Sequence, residues 1–171
     1  VPKRVVGVKQ REFQEFYAAN RDACLRAVLA AVGDRPLAED LVAEAFTRAW
    51  ASWRSVRGHP APSAWIVRTA LNTRVSWWRR RRREVPLDAG HEVADDPDRA
   101  SGLDPALFAV LRRLPPRQRE VVALRVFLDL DTRTTARTLG IAPGTVTAHL
   151  ARAVETLRAH LVPLDRPEAG S

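Results

Sequence analysis

Three carboxylates, Glu39, Asp40 and Glu44, fall within two turns of one helical pattern, and five consecutive arginines, Arg79, Arg80, Arg81, Arg82 and Arg83, follow the pair Trp77-Trp78. These side chains could do chemistry, and their neighbours decide which kind. Carboxylates act as general acid and base beside a pocket, a partner base or a metal. Glu39, Asp40 and Glu44 share one helix pattern, and no base or metal ligand accompanies them. The histidines His59, His91, His149 and His160 are scattered, with no Cys or carboxylate at ligand spacing. There is no glycine-rich phosphate loop and no G-x-S-x-G. The sequence therefore points to binding, with no catalytic residue, cofactor or metal expected. A carboxylate patch suits either a cationic partner or plain solvation of a helix face. Arginine interleaved with tryptophan suits a phosphate backbone and stacked bases.

The elements that must position these groups read as helices throughout. From Arg11, the residues Phe13, Phe16, Tyr17, Cys24, Leu25, Val28, Leu29 and Val32 recur at helical spacing, and Gly33 closes the pattern. Asp34 can cap the next helix, and Pro36 suits its first turn. Leu37, Leu41, Ala45, Phe46, Ala49 and Trp50 form its apolar stripe, leaving the carboxylates on the remaining surface. The stretch from Arg54 to Ala61 reads as a loop. A third helix starts near Pro62, with Trp65, Ile66, Ala70, Leu71, Val75 and Trp78 as its apolar residues. From Pro62 to Arg83 it carries no acidic residue. Basic residues at a helix C-terminus complement the macrodipole, but five in a row exceed that need and point to nucleic acid.

Residues 85–102 gather Pro, Gly and acidic side chains, and read as a flexible linker. The last third is helical again. Leu103, Leu107, Leu111 and Leu114 form one stripe, and Pro115-Pro116 opens a helix containing Val121, Val122, Leu124, Phe127 and Leu128. A short helix from Thr132 to Leu139, the turn at Gly140 and a long helix with Val146, Leu150, Val154, Leu157 and Leu161 make a helix-turn-helix pattern. Thr145, Thr147, His149 and Arg152 are its candidates for base edges or phosphates.

No strand pattern appears, so the fold class is all-α: two small helical domains, at 11–84 and 103–163, joined by the linker, with loose tails at 1–10 and 164–171. The formal charge of +8 favours a polyanionic partner. The basic charge is almost all arginine, which suits bidentate phosphate contacts but is also what GC-rich coding produces. Cys24 is the one cysteine, so no disulfide forms within the chain, and it reads as a small core residue. With no signal-peptide pattern and no apolar run of about 20 residues, a cytoplasmic protein without membrane insertion is expected.

Several stretches together resemble the RNA polymerase sigma factors of the extracytoplasmic-function type. The motif FxxFY at Phe13 to Tyr17, GDxxxAEDLVxEAFxRAW at Gly33 to Trp50, and AxN with the arginine run at Ala70 to Arg83 resemble that family's region 2. LPPRQREVVALR at Leu114 to Arg125 and LGIxxGTV at Leu139 to Val146 resemble its region 4. The Trp- and Arg-rich character resembles an actinobacterial sigma-E-like subgroup.

The resemblance implies that Glu39, Asp40 and Glu44 dock on the core RNA polymerase. Asn72, Arg74, Trp77, Trp78 and Arg79 to Arg83 would bind the promoter −10 element, with the two tryptophans serving as stacking or core residues. Thr145, Thr147, His149 and Arg152 would enter the −35 element, while Arg117 and Arg119 would lie near the polymerase flap or the DNA backbone. It also implies promoter DNA as a partner and an anti-sigma factor as inhibitor; the sequence gives no sign of oligomerisation, so a monomer is expected when free. The chain departs from the family at Ala43, Ser76, Thr134-Thr135, Ala142 and Thr147-Ala148-His149, so weaker or altered −35 binding is expected. REVVAL with GTVxxH is also similar to the LuxR-type output domain, which leaves an autonomous helix-turn-helix regulator as the alternative. A third class is an inhibitor that mimics a sigma factor.

Overall fold

A computed structural model describes residues 2–84 and 103–161, with side chains over 7–80 and 103–161. Among the described residues every element is helical. They are α1 (Pro2–Val32), α2 (Arg35–Ala51), α3 (Trp53–Val56), α4 (Pro62–Glu84), α5 (Pro105–Arg113), α6 (Pro116–Val122), α7 (Thr132–Leu139) and α8 (Pro143–Leu161), with a π-helical turn over Ala123–Phe127 after α6. The linker at 85–102 and the tail at 164–171 lie outside the described residues.

The expected caps form. The Leu37 amide donates to the Asp34 carboxylate at 2.9 Å, and Gly33 takes the left-handed conformation, φ 71°, that ends α1. Asp131 caps α7 by accepting from the Thr134 amide at 2.7 Å. The bonds from Thr134 hold its carboxyl below the ordinary range. Gly140, φ 66°, makes the turn between α7 and α8.

The stretch read as a loop from Arg54 to Ala61 begins helical, in α3 (Trp53–Val56), and two further expectations are corrected. The loose tail at 1–10 is helical from Pro2, since α1 runs unbroken to Val32. Pro2 suits a helix start, and Lys9 secures the following turn by placing its ammonium 4.2 Å from the Trp50 ring centroid. The second correction concerns the third helix, whose apolar stripe leaves the core after Leu71. Val75, Trp77 and Trp78 are exposed, because α4 continues past the end of the bundle it packs on.

The two helical halves share a core. In α1, every residue from Ala27 to Val32 is buried. One side of this segment packs with Leu41, Val42, Ala45, Phe46, Ile66, Val67 and Ala70 of α2 and α4, in an apolar cluster that continues into Val121, Leu124, Ala136, Leu139 and Val146 of the second half. Ala30 turns instead into a cluster with Leu111, Leu114, Val122 and Ala153. A helix that is apolar all round must be covered all round, and the alanines at 27, 30 and 31 let neighbouring helices approach closely. At the other end of α1, Phe13, Phe16 and Tyr17 pack with Phe46, Trp50 and Trp53, ring centroids being 4.9–6.4 Å apart.

Two core positions yield predictions. Thr135 is fully buried, and its hydroxyl has no hydrogen-bond partner. Thr135→Val removes the stranded hydroxyl at nearly constant shape and should raise stability by about 1 kcal/mol, measured by urea unfolding. Burial of Cys24 pushes its thiol up to about 12. The native chain should therefore resist a thiol reagent at pH 8 and react once unfolded. Because the folded pKa exceeds the unfolded one, the unfolded state loses its proton first as pH rises. Stability should fall above the ordinary thiol range, about 8.5, and Cys24→Ala should remove that part of the slope.

Candidate functional site

The carboxylate face of α2 is built by its apolar stripe. Burying Leu41, Val42, Ala45, Phe46 and Ala49 against α1 and α4 leaves Glu39 and Asp40 exposed and Glu44 half-exposed. Two of the three carboxylates are tied to arginines on the same helix. Arg35 donates to Glu39 at 2.9 Å and Arg48 to Glu44 at 2.8 Å. Asp40 has no hydrogen bond or ion pair among the described residues, so its full charge faces outward. Ala43, Thr47 and Trp50 continue the exposed face, the last 37% exposed.

Arg48 leads from this face to a second feature. It lines a cleft of about 400 Å³ between α2 and α4, together with Ala51, Ser52, Trp65, Thr69 and Asn72. Of these, only Asn72 is among the sequence-derived candidates. The spacing of Trp65, Thr69 and Asn72, at i, i+4 and i+7, was the available signal: it sets an aromatic ring, a hydroxyl and an amide along one edge of α4. The cleft offers a flat ring with donors and acceptors around it, which is chemistry for a planar polar ligand.

The other α4 candidates are not gathered beside Asn72. Arg74, two residues on, lies about 200° around the helix and is half-buried toward the second half of the chain. Trp77 and Trp78 are 38% and 56% exposed, and Arg79 and Arg80 are exposed. Arg81, Arg82 and Arg83 lie on α4, but their side chains are outside the described ones.

On α8, Thr145, His149 and Arg152 share one flank at i, i+4 and i+7, while Thr147 falls on the opposite flank, about 200° from Thr145. Thr147 donates back to the Pro143 carbonyl at 3.3 Å. Thr145 and Arg152 are exposed; His149 is half-buried, and its Nδ1 is buried with no hydrogen-bond partner. So three of the four candidates line up, and Thr147 stands apart. Val146 and Ala153, both fully buried, fix this orientation.

Comparison with known proteins bears on what such an arrangement is for. Residues 16–84 match the family model for Sigma-70 region 2, and residues 106–157 match that for Sigma-70, region 4. The chain is 37% identical over 156 residues to the RNA polymerase sigma-E factor of Streptomyces coelicolor, covering 90% of this chain and 88% of the relative. It is 36% identical to the sigma-E factor of Streptomyces avermitilis, covering 88% and 85%. In structure it is similar to the sigma factor RpoE of Bartonella quintana, solved in complex with the anti-sigma factor NepR. The TM-score is 0.73 at 26% identity, covering 91% of this chain and 99% of that one. The region 2 match occupies the half of the chain where a LuxR-type regulator would carry its sensing domain, so the alternative of an autonomous regulator is not favoured. With both halves matched in order and the sigma-E relatives aligned over most of their length, the chain belongs to the RNA polymerase sigma factors, of the extracytoplasmic-function type.

Proposed function

We propose that this sigma factor divides its work between the two sides of α2. The outer face, with Glu39, Asp40 and Glu44, grips a basic surface of core RNA polymerase. The inner side, through Arg48, meets the cleft that receives an unstacked base of the −10 element. The observation that carries the reading is the unpartnered, exposed carboxylate of Asp40 between two carboxylates already held by arginines. Trp65 and Asn72 supply a stacking ring and an amide for the base. Trp77, Trp78 and Arg79 to Arg83 extend as the track for the displaced strand.

Thr145, His149 and Arg152 form the −35 edge of α8. With one arginine and two small or neutral polar groups, that edge makes few phosphate contacts, so promoter affinity rests on the polymerase and on the pairing of two weak readers. The −10 and −35 elements are separated by about 25 base pairs, or about 85 Å of duplex. The 18 residues from 85 to 102 span at most about 60 Å. In this reading the halves part from the shared core around Ala27 to Val32 to reach both elements. We extend to this chain the inhibitor class seen with the Bartonella relative: an anti-sigma protein that covers the docking and DNA surfaces. The site of action is the cytoplasm, where polymerase and promoter meet.

Reconstituted transcription tests the reading. Core polymerase from an actinobacterium plus the full chain should yield new, promoter-specific transcripts. Asp40→Arg with Glu44→Arg should weaken polymerase binding by about 100-fold or more, because like charges facing each other across an interface cost several kcal/mol, and transcripts should vanish. Polymerase binding that survives the double reversal would exclude the docking face. Binding without transcripts from the unaltered chain would instead indicate an inhibitor.

A further inference from the structure

The short helix α7 carries a charge that its own dipole opposes. Its eight residues, Thr132–Leu139, include no acid, and they place Arg133 in the first turn and Arg137 in the last. A cation near a helix C-terminus complements the macrodipole, so Arg137 stabilises α7; near the N-terminus the sign is reversed. The helix itself therefore gains nothing from Arg133. The rest of α7 is committed inward. Thr135, Ala136 and Leu139 are buried. Thr134 donates through its amide and its hydroxyl to Asp131 at 2.7 and 2.9 Å, and Thr138 donates to the Thr134 carbonyl at 2.8 Å. Arg133 and Arg137 are exposed, and neither side chain has a hydrogen bond or salt bridge among the described residues. Asp131, the acid that bounds the helix, is engaged as its cap: the bonds from Thr134 hold its carboxyl below the ordinary range, and the charge of Arg137 contributes least. Residues four apart share one flank, about 6 Å apart along the axis, so the two guanidiniums form an outward pair.

The position of the pair decides what it meets. Gly140 turns α7 directly into α8, whose flank of Thr145, His149 and Arg152 carries a single arginine. In a helix-turn-helix the second helix enters the major groove while the first crosses the DNA backbone. We propose that Arg133 and Arg137 clamp the phosphate backbone of duplex DNA beside the −35 element. They touch phosphates and no base, so they set the register in which α8 meets the groove and supply contacts that the α8 flank lacks. The proposal rests on the reading of α8 as the −35 helix. Both arginines are exposed in the closed arrangement, so the clamp works without separation of the halves.

Fluorescence anisotropy of a labelled duplex of mixed sequence, titrated with the full chain over a range of sodium chloride concentrations, tests the clamp. Each phosphate contact contributes about 0.9 to the slope of log affinity against log salt. Arg133→Gln with Arg137→Gln should flatten the slope by about 1.8, and Arg133→Lys with Arg137→Lys should retain it. Arg11→Gln with Arg26→Gln, an equal loss of charge at exposed positions on α1, should leave the slope as it was. A single strand of the same sequence offers α7 no duplex to cross, and its binding should not change in the α7 variant. Arg152→Gln separates the clamp from the reading of α8. If Arg152→Gln flattens the duplex slope and the α7 variant does not, α8 meets DNA and the clamp is overturned. If only the α7 variant flattens it, the clamp stands and the α8 flank is misassigned. An unchanged slope in the α7 variant would leave the pair to an acidic protein surface instead. Equal flattening by the α1 pair, equal loss on the single strand, or no duplex binding by the unaltered chain would each overturn the proposal. Circular dichroism checks folding. Arg133→Gln alone, which relieves α7 of an unfavourable charge and should flatten the slope by about 0.9, carries the test if the double variant is unfolded.

Discussion

Burial of the last turn and a half of α1 on every side is the constraint from which the rest of the arrangement follows. Ala27, Val28, Leu29, Ala30, Ala31 and Val32 offer no polar atom beyond the backbone, and each is almost completely removed from water. A helix segment of that kind cannot lie on a surface, so helices must cover it from two directions. α2 and α4 cover one direction, while α6 and the π-helical turn after it cover the other. The alanines matter as much as the larger residues, because their small size brings the flanking helices into contact around a common axis. Gly33 and Asp34 then end this pillar sharply and start α2 in the direction that exposes its carboxylates.

Two opposing effects meet at the same place. Apolar contact around Ala30, Leu111, Leu114 and Val122 draws the halves together, while Arg74, Arg112 and Arg119 crowd like charges at the edge of that contact. Apolar burial changes little with ionic strength, whereas the repulsion is screened by salt. The Glu44–Arg48 pair plays a comparable part within the first half. It joins the carboxylate face of α2 to the cleft between α2 and α4 through Arg48, which donates to Glu44 at 2.8 Å and lines that cleft.

Much of this was legible in the sequence where the physics is local. The Asp34 cap, the Gly33 and Gly140 turns, the apolar stripe of α2 and the buried Cys24 each follow from a few neighbouring residues, and each is present in the structure. The positions of Thr147 and Arg74 away from their supposed companions follow from the helical period, since residues two apart point to nearly opposite sides. The shared core was harder to read. Leu124, Leu139 and Val146 fit a stripe facing their own half as well as one facing α1, and periodicity does not name the partner. The signal lay in the unbroken apolar run from Ala27 to Val32, too wide for a helix with one covered face. The helical start at Pro2 had no periodic signal, because the Lys9–Trp50 contact joins residues 41 positions apart in sequence.

The central claim is that the pillar in α1 binds both halves in the free chain and gives up the second half when the polymerase engages the first. Spin labels on Ser76→Cys and Glu155→Cys, exposed positions on α4 and α8, would report the separation by pulsed dipolar spectroscopy, with the buried Cys24 left in place. The account predicts one short distance distribution in the free chain and a shift to longer distances on addition of core polymerase. A distribution already long in the free chain, or one that polymerase leaves unchanged, would contradict it.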